Sequence, residues 1–97
     1  MGRILATIKF IATENGGRKS PLPGGRIGYV IEVDKQNFSC WLINTSSVAV
    51  NPGDTAQLEV VLLAPELAVP FLDVGAGFIL KDYRQIATGV VDKVMTR

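Results

Sequence analysis

The chain has 97 residues and 47% apolar residues, enough for one hydrophobic core without staples, so disorder is excluded. Ten Lys and Arg against nine Asp and Glu leave a net charge of +1, with no global basic field of the kind that gathers nucleic acid indiscriminately. Histidine is absent and Cys40 is the single cysteine, which removes most zinc sites, every Cys–His or Ser–His catalytic pair and a disulfide scaffold.

The first periodic segment is Arg3 to Thr13. Ile4, Ala6, Ile8, Phe10 and Ala12 occupy even positions against Arg3, Thr7, Lys9 and Thr13 on odd ones, the two-residue repeat of a strand with one buried face. Leu5 and Ile11 interrupt the polar side, which fits a face covered by a second sheet, by a partner or by a second copy of the chain. Next comes TENGGRKSPLPGG, Thr13 to Gly25, with four glycines, two prolines and three charges. A loop this long in a compact domain is often functional. Gly16-Gly17-Arg18 has the composition of an anion nest but opens no helix and lacks the Lys-Ser/Thr ending of a phosphate loop, so a plain turn is the simpler reading. Arg18, Lys19 and Arg26 form a small basic cluster on or beside the loop.

Tyr29 to Val33 and Phe38 to Ile43 are expected as a hairpin joined by a four-residue turn, Asp34 to Asn37. Of Phe38 and Trp41, which face opposite sides of that strand, one belongs to the core. Asn44 to Ser47 forms a turn, Val48 to Val50 a brief extended piece, and Asn51-Pro52-Gly53-Asp54 a type II turn, where Pro presets φ and Gly supplies a positive φ. Thr55 to Leu63 alternates until Val61, where loss of phase implies burial on both faces. Pro65 stops it, Glu66 to Val69 makes one helical turn at most, and Phe78 to Leu80 and Ile86 to Val94 are the last strands, with Lys81 to Arg84 connecting them.

Short strands, frequent Gly and Pro and no sustained helical period predict an all-β barrel or sandwich in one domain over residues 1–97. No cleavable leader is expected, because alternation begins at once after Met1. The longest apolar run, Val60 to Pro65, is too short to span a bilayer as a helix, so a cytoplasmic protein without membrane contact is expected. The carboxylates are scattered, and Asp34 and Asp54 have an ordinary turn role. No catalytic pair, cofactor site or metal site can be named, and a non-enzymatic chain is expected.

The order of three motifs adds to this. ENGGRKSPLPGG, NPGDTAQLEVVLLAPELAV and GFILKDYRQIATGVVDKV together resemble the C-terminal domain of bacterial elongation factor Tu, across nearly the whole chain. That family shows a GGR-x-T/S-P loop, a PGD turn into an apolar strand stopped by proline, and a closing F-x-I-R-x-G-G-R-T-x-G-x-G-V-V-x-K-V pair. The resemblance implies a six-stranded antiparallel β-barrel that docks other macromolecules and, with no GTPase domain preceding it, hydrolyses no nucleotide. It implies a protein-facing set of Gly16, Gly17, Tyr29 and Ile79, with Tyr29 where the family keeps glutamine and Ile79 where it keeps alanine. On the tRNA side it implies Asp82, Tyr83 and Arg84, where Asp82 and Tyr83 replace glutamate and glycine and one glycine before Arg84 is missing. Bulky Tyr83 where backbone should approach phosphate makes a protein partner the leading expectation: a translation factor, a toxin acting on one, or a second copy. RNA contact through Arg18, Lys19, Arg26 and Arg84 is the alternative. Arg18 is expected to order the loop or to pair with an acidic partner.

Overall fold

Strands with one apolar face and one polar face bury the apolar one most completely by closing into a barrel, in which every strand has two neighbours. The computed structural model describes residues 2–22, 24–44 and 50–96 and shows this outcome. Six antiparallel strands close in the order β1-β4-β3-β2-β5-β6. They are β1 (Gly2–Phe10), β2 (Gly25–Val33), β3 (Gln36–Asn44), β4 (Thr55–Leu62), β5 (Gly77–Lys81) and β6 (Gln85–Thr96). The one α-helical turn, α1 (Pro65–Ala68), runs into a 3-10 turn at Val69–Phe71. No helix among the described residues is long and apolar enough to cross a membrane.

The inner face is the apolar phase of each strand: Ile4, Ala6 and Ile8 from β1, Ile31 from β2, Leu42 from β3 and Val60 from β4 are wholly buried. Phe38 is the core member of the aromatic pair, and its ring stacks at 5.9 Å on Phe71, which caps the barrel end below α1. The opposite end is closed by Leu22, whose backbone bridges Val50 across the barrel mouth. Val61 is buried although it lies on the outer phase of β4, as the broken alternation there implies.

Several boundaries differ from the periodicity. β1 ends at Phe10, because Ile11 and Ala12 lead into a 3-10 turn at Thr13–Asn15. β2 starts at Gly25 rather than Tyr29, since its register with β3 runs unbroken from Gly25 opposite Asn44 to Val33 opposite Gln36. The hairpin turn is therefore two residues long, not four: Asp34 and Lys35 both take positive φ, 51° and 63°, the backbone twist that matches a right-handed strand pair. The Asn51–Asp54 turn forms as expected, with Gly53 at φ 90° and the Asp54 N–H donating to the Asn51 carbonyl. The extended piece at Val48–Val50, save Val50, and the Asn44–Ser47 turn, save Asn44, lie outside the described residues, as do Met1 and Pro23 of the long loop.

Asp92 continues the outward phase of Thr88 and Val90 on β6, at one of two register shifts where β6 pairs with β1. There Thr7 Oγ1 and Gln57 Nε2 both donate to Asp92 Oδ2, at 2.7 and 3.0 Å. The Gln57 bond, then the Thr7 bond, hold that carboxyl below the usual carboxylate range. Arg3 pairs with Glu59 on the same side at 2.7 Å. The outer face of β1, β4 and β6 thus carries a lattice of internally paired polar groups, with Leu5 half-buried among them. The opposite face, formed by β2, β3 and β5, is built differently.

Candidate interaction groove

The loop after β1 organises the first half of the site. Its 3-10 turn brings the Gly17 N–H to the Ala12 carbonyl at 3.0 Å, and the Thr13 hydroxyl donates to the Arg18 carbonyl at 2.6 Å. Gly17 is buried so tightly that a Cβ there would lie 1.8 Å from the Ile11 carbonyl oxygen. The glycine therefore permits a close approach within the chain. Gly16, at φ 94°, is exposed, and so is Lys19.

Arg18 turns back over the barrel. Its Nη1 donates to the Tyr29 hydroxyl and its Nε to the Ser20 carbonyl. Tyr29 faces inward, in phase with Ile31 and Val33, and is 6% exposed, so most of it lies within the barrel. Burial raises its pKa, the nearby Arg18 charge opposes that shift, and Asp82 adds to it. Arg84 completes the junction by donating Nη2 to the Gly17 carbonyl at 3.1 Å. The structure thus brings Gly17, Arg18, Tyr29, Asp82 and Arg84 together: the long loop is fastened to the β5–β6 turn through neutral acceptors.

That turn presents Tyr83. Asp82 Oδ1 accepts the backbone N–H groups of Tyr83 and Arg84, fixing the turn and occupying the carboxylate with local bonds. The Tyr83 side chain, left at the tip, is fully exposed. It borders a groove of about 430 Å³ whose lining also includes Gly28, Val30, Trp41, Leu63 and Lys81. Register explains the floor. Gly28 lies directly opposite Trp41, and the missing side chain lets the indole lie down on β2, 3.3 Å from where a Cβ would stand. Arg26, two residues back on the same face, places its guanidinium carbon 4.8 Å from the indole centroid. Leu63, just past β4, is 48% exposed. Lys81 is neutralised by Glu32 at 2.6 Å.

Ile79 is half-buried on the outer side of β5, opposite Glu32 and Thr88, and is not part of the groove lining. Trp41, Gly28 and Leu63 were not singled out by the sequence motifs; the β2–β3 register sets Gly28 beside Trp41, and the β3–β4 pairing brings Leu63 to the same surface. Beneath them Cys40 faces inward, and burial pushes its thiol up to about 12, with a Tyr29 backbone hydrogen bond acting in the opposite direction. The folded pKa exceeds the unfolded one, so this contribution to stability is complete below about pH 8.5 and lost as pH rises toward the folded value. Urea titrations are expected to show stability falling above that pH by up to about 1.4 kcal/mol per pH unit, and Cys40 should resist alkylation until the chain unfolds. A native thiol that reacts freely would contradict its burial.

No group of three or more Cys, Asp or Glu among the described residues is arranged to hold a metal ion. No protein-family model matches the chain, and no curated protein matches it. The arrangement offers an apolar recess bordered by an exposed aromatic ring, with one stacked guanidinium beside it. Such features suit recognition by packing and hydrogen bonding.

Proposed function

We propose that this chain is a non-enzymatic protein-interaction module whose docking surface is the groove between Trp41 and Tyr83. The observation that carries the reading is Tyr83 itself: a tight turn capped by Asp82 holds a fully exposed aromatic ring beside an apolar recess. An exposed Tyr beside a Trp and a Leu is the composition of an interface anchor, because rigid aromatic groups gain large contact area at little conformational cost. The closed six-stranded barrel is also the architecture that the resemblance to the C-terminal domain of elongation factor Tu implies. In that setting the partner is a translation factor or a protein that acts on one, in the cytoplasm.

The RNA reading has less behind it. Phosphate binding along a strand needs a track of free cations. Here Lys81 is paired with Glu32, and Arg18 and Arg84 keep their charge but have donors committed to holding the loop, which leaves Lys19 and Arg26 as the exposed cations of that set without a side-chain hydrogen bond among the described residues.

The test is capture on immobilised chain, with the Tyr83→Ala/Leu63→Ser double variant alongside. Both side chains are exposed, so stability should change by no more than about 0.5 kcal/mol for each. A partner retained by the native chain and released at least about tenfold more readily by the variant is the expected result, a loss typical of a central aromatic anchor. Equal retention by both would remove the groove from the docking surface.

A further inference from the structure

We infer that the groove takes a linear acidic-apolar segment of a partner protein, whose large apolar side chain enters the recess and whose carboxylate meets Arg26. This rests on the docking reading above and adds the chemistry of the occupant.

The argument is one of charge complementarity. Around the recess, Glu32 is neutralised by Lys81, and Asp82 keeps its one negative charge while accepting two backbone N–H groups, against three arginines. Arg18 and Arg84 are held by a hydroxyl and a carbonyl, which orient their charges without cancelling them. Arg26 is exposed, and among the described residues no carboxylate lies within ion-pair distance of it. The potential left over the groove is positive.

Arg26 is also arranged to receive a carboxylate. Its guanidinium carbon lies over the Trp41 indole, 4.8 Å from the ring centroid, and among the described residues no carboxylate competes for its N–H donors. That contact restricts a side chain that otherwise loses much rotamer freedom on binding, so less is lost when a partner arrives. A planar donor edge fits a carboxylate in two parallel hydrogen bonds. The adjoining recess, floored by Gly28 and Val30 and bordered by Tyr83, asks for an apolar neighbour on the same segment. A polynucleotide could set one phosphate on Arg26 and stack a base on the aromatic wall, but its further phosphates would meet Lys81 already paired with Glu32.

The probe is a library of random linear peptides panned on the intact chain at low salt. Selected peptides are then synthesised and titrated by the fluorescence of Trp41, the chain's single tryptophan and a wall of the groove. Expected are peptides pairing a large apolar residue with Asp or Glu, which perturb Trp41 emission and bind about tenfold more weakly to Arg26→Glu. Lysine analogues of the same peptides should bind that variant better than they bind the native chain. Arg26→Gln, which removes the charge without reversing it, should give an intermediate loss. Groove-binding peptides with no acidic preference and no response to Arg26→Glu would overturn the inference while leaving the docking reading in place. Failure to select any peptide that perturbs Trp41 would overturn both. Displacement of a selected peptide by unmodified tRNA at low salt would replace the carboxylate with a phosphate ligand.

Discussion

Phe78→Ala is expected to cost about 3–5 kcal/mol, the range for removing a buried aromatic ring, and to lower the melting temperature by roughly 20 °C. Phe78 is 5% exposed on β5, the five-residue strand that joins β2 to β6 and so closes the barrel. Its ring lies on the backbone of Gly89, directly opposite in register, where a Cβ would come within 2.3 Å of the ring tip. Truncation leaves a void at the narrowest stave and uncovers the glycine backbone beneath it. The converse change makes the pair diagnostic. Gly89→Ala alone overfills the site and should cost about 1–3 kcal/mol. In the Phe78→Ala background the same methyl fills space that the ring has left, so the two changes should be strongly non-additive. Thermal or urea unfolding of the four proteins measures this, and simple additivity would show that the ring does not rest on Gly89.

Gly17→Ala is expected to lower stability by about 3 kcal/mol, roughly 15 °C in melting temperature. The added methyl would meet the Ile11 carbonyl oxygen at 1.8 Å, and backbone cannot swing aside as the end of a side chain can. The loop must open. Two bonds then go with it: the Gly17 N–H to Ala12, and Arg84 to the Gly17 carbonyl. Because Arg84 ties the loop to the turn that carries Tyr83, amide exchange should accelerate at Asp82 to Arg84 as well as around Gly17. The neighbouring Gly16→Ala is a useful control, since nothing stands within 4 Å of its added methyl and only the φ of 94° is unfavourable. It should cost about 1 kcal/mol. Equal effects at the two positions would mean that backbone conformation, and not the close approach, makes Gly17 necessary.

The fold was largely legible because its information is local. Ile4, Ala6, Ile8 and Phe10 alternate against polar neighbours, and Asn51-Pro52-Gly53-Asp54 names its own turn type. Legibility failed where glycine or an outward apolar residue imitated something else. Gly25 and Gly28 read as the tail of a loop, yet both lie in β2, one at its start and the other making room for an indole. Asp34 and Lys35 take positive φ without a glycine, so composition alone could not shorten that turn to two residues. The candidate site was legible in part. Arg18, Tyr29, Asp82 and Arg84 were singled out from motif positions, and they do meet, but mainly through bonds that fasten the loop to its neighbouring turn. Trp41 and Leu63 were missed as groove residues because their shared surface depends on the register between β3 and β4, which neither segment's own alternation specifies.

β1 is hydrogen-bonded on one side to β4 and on the other to β6, so the earliest segment of this chain has both of its neighbours among the later ones. During synthesis it cannot pair until β4 has emerged, and its second neighbour, β6, comes last. Closure of this barrel is therefore a late event, and a chain halted before Gln85 would leave β1 with an open flank able to pair with other unfinished copies.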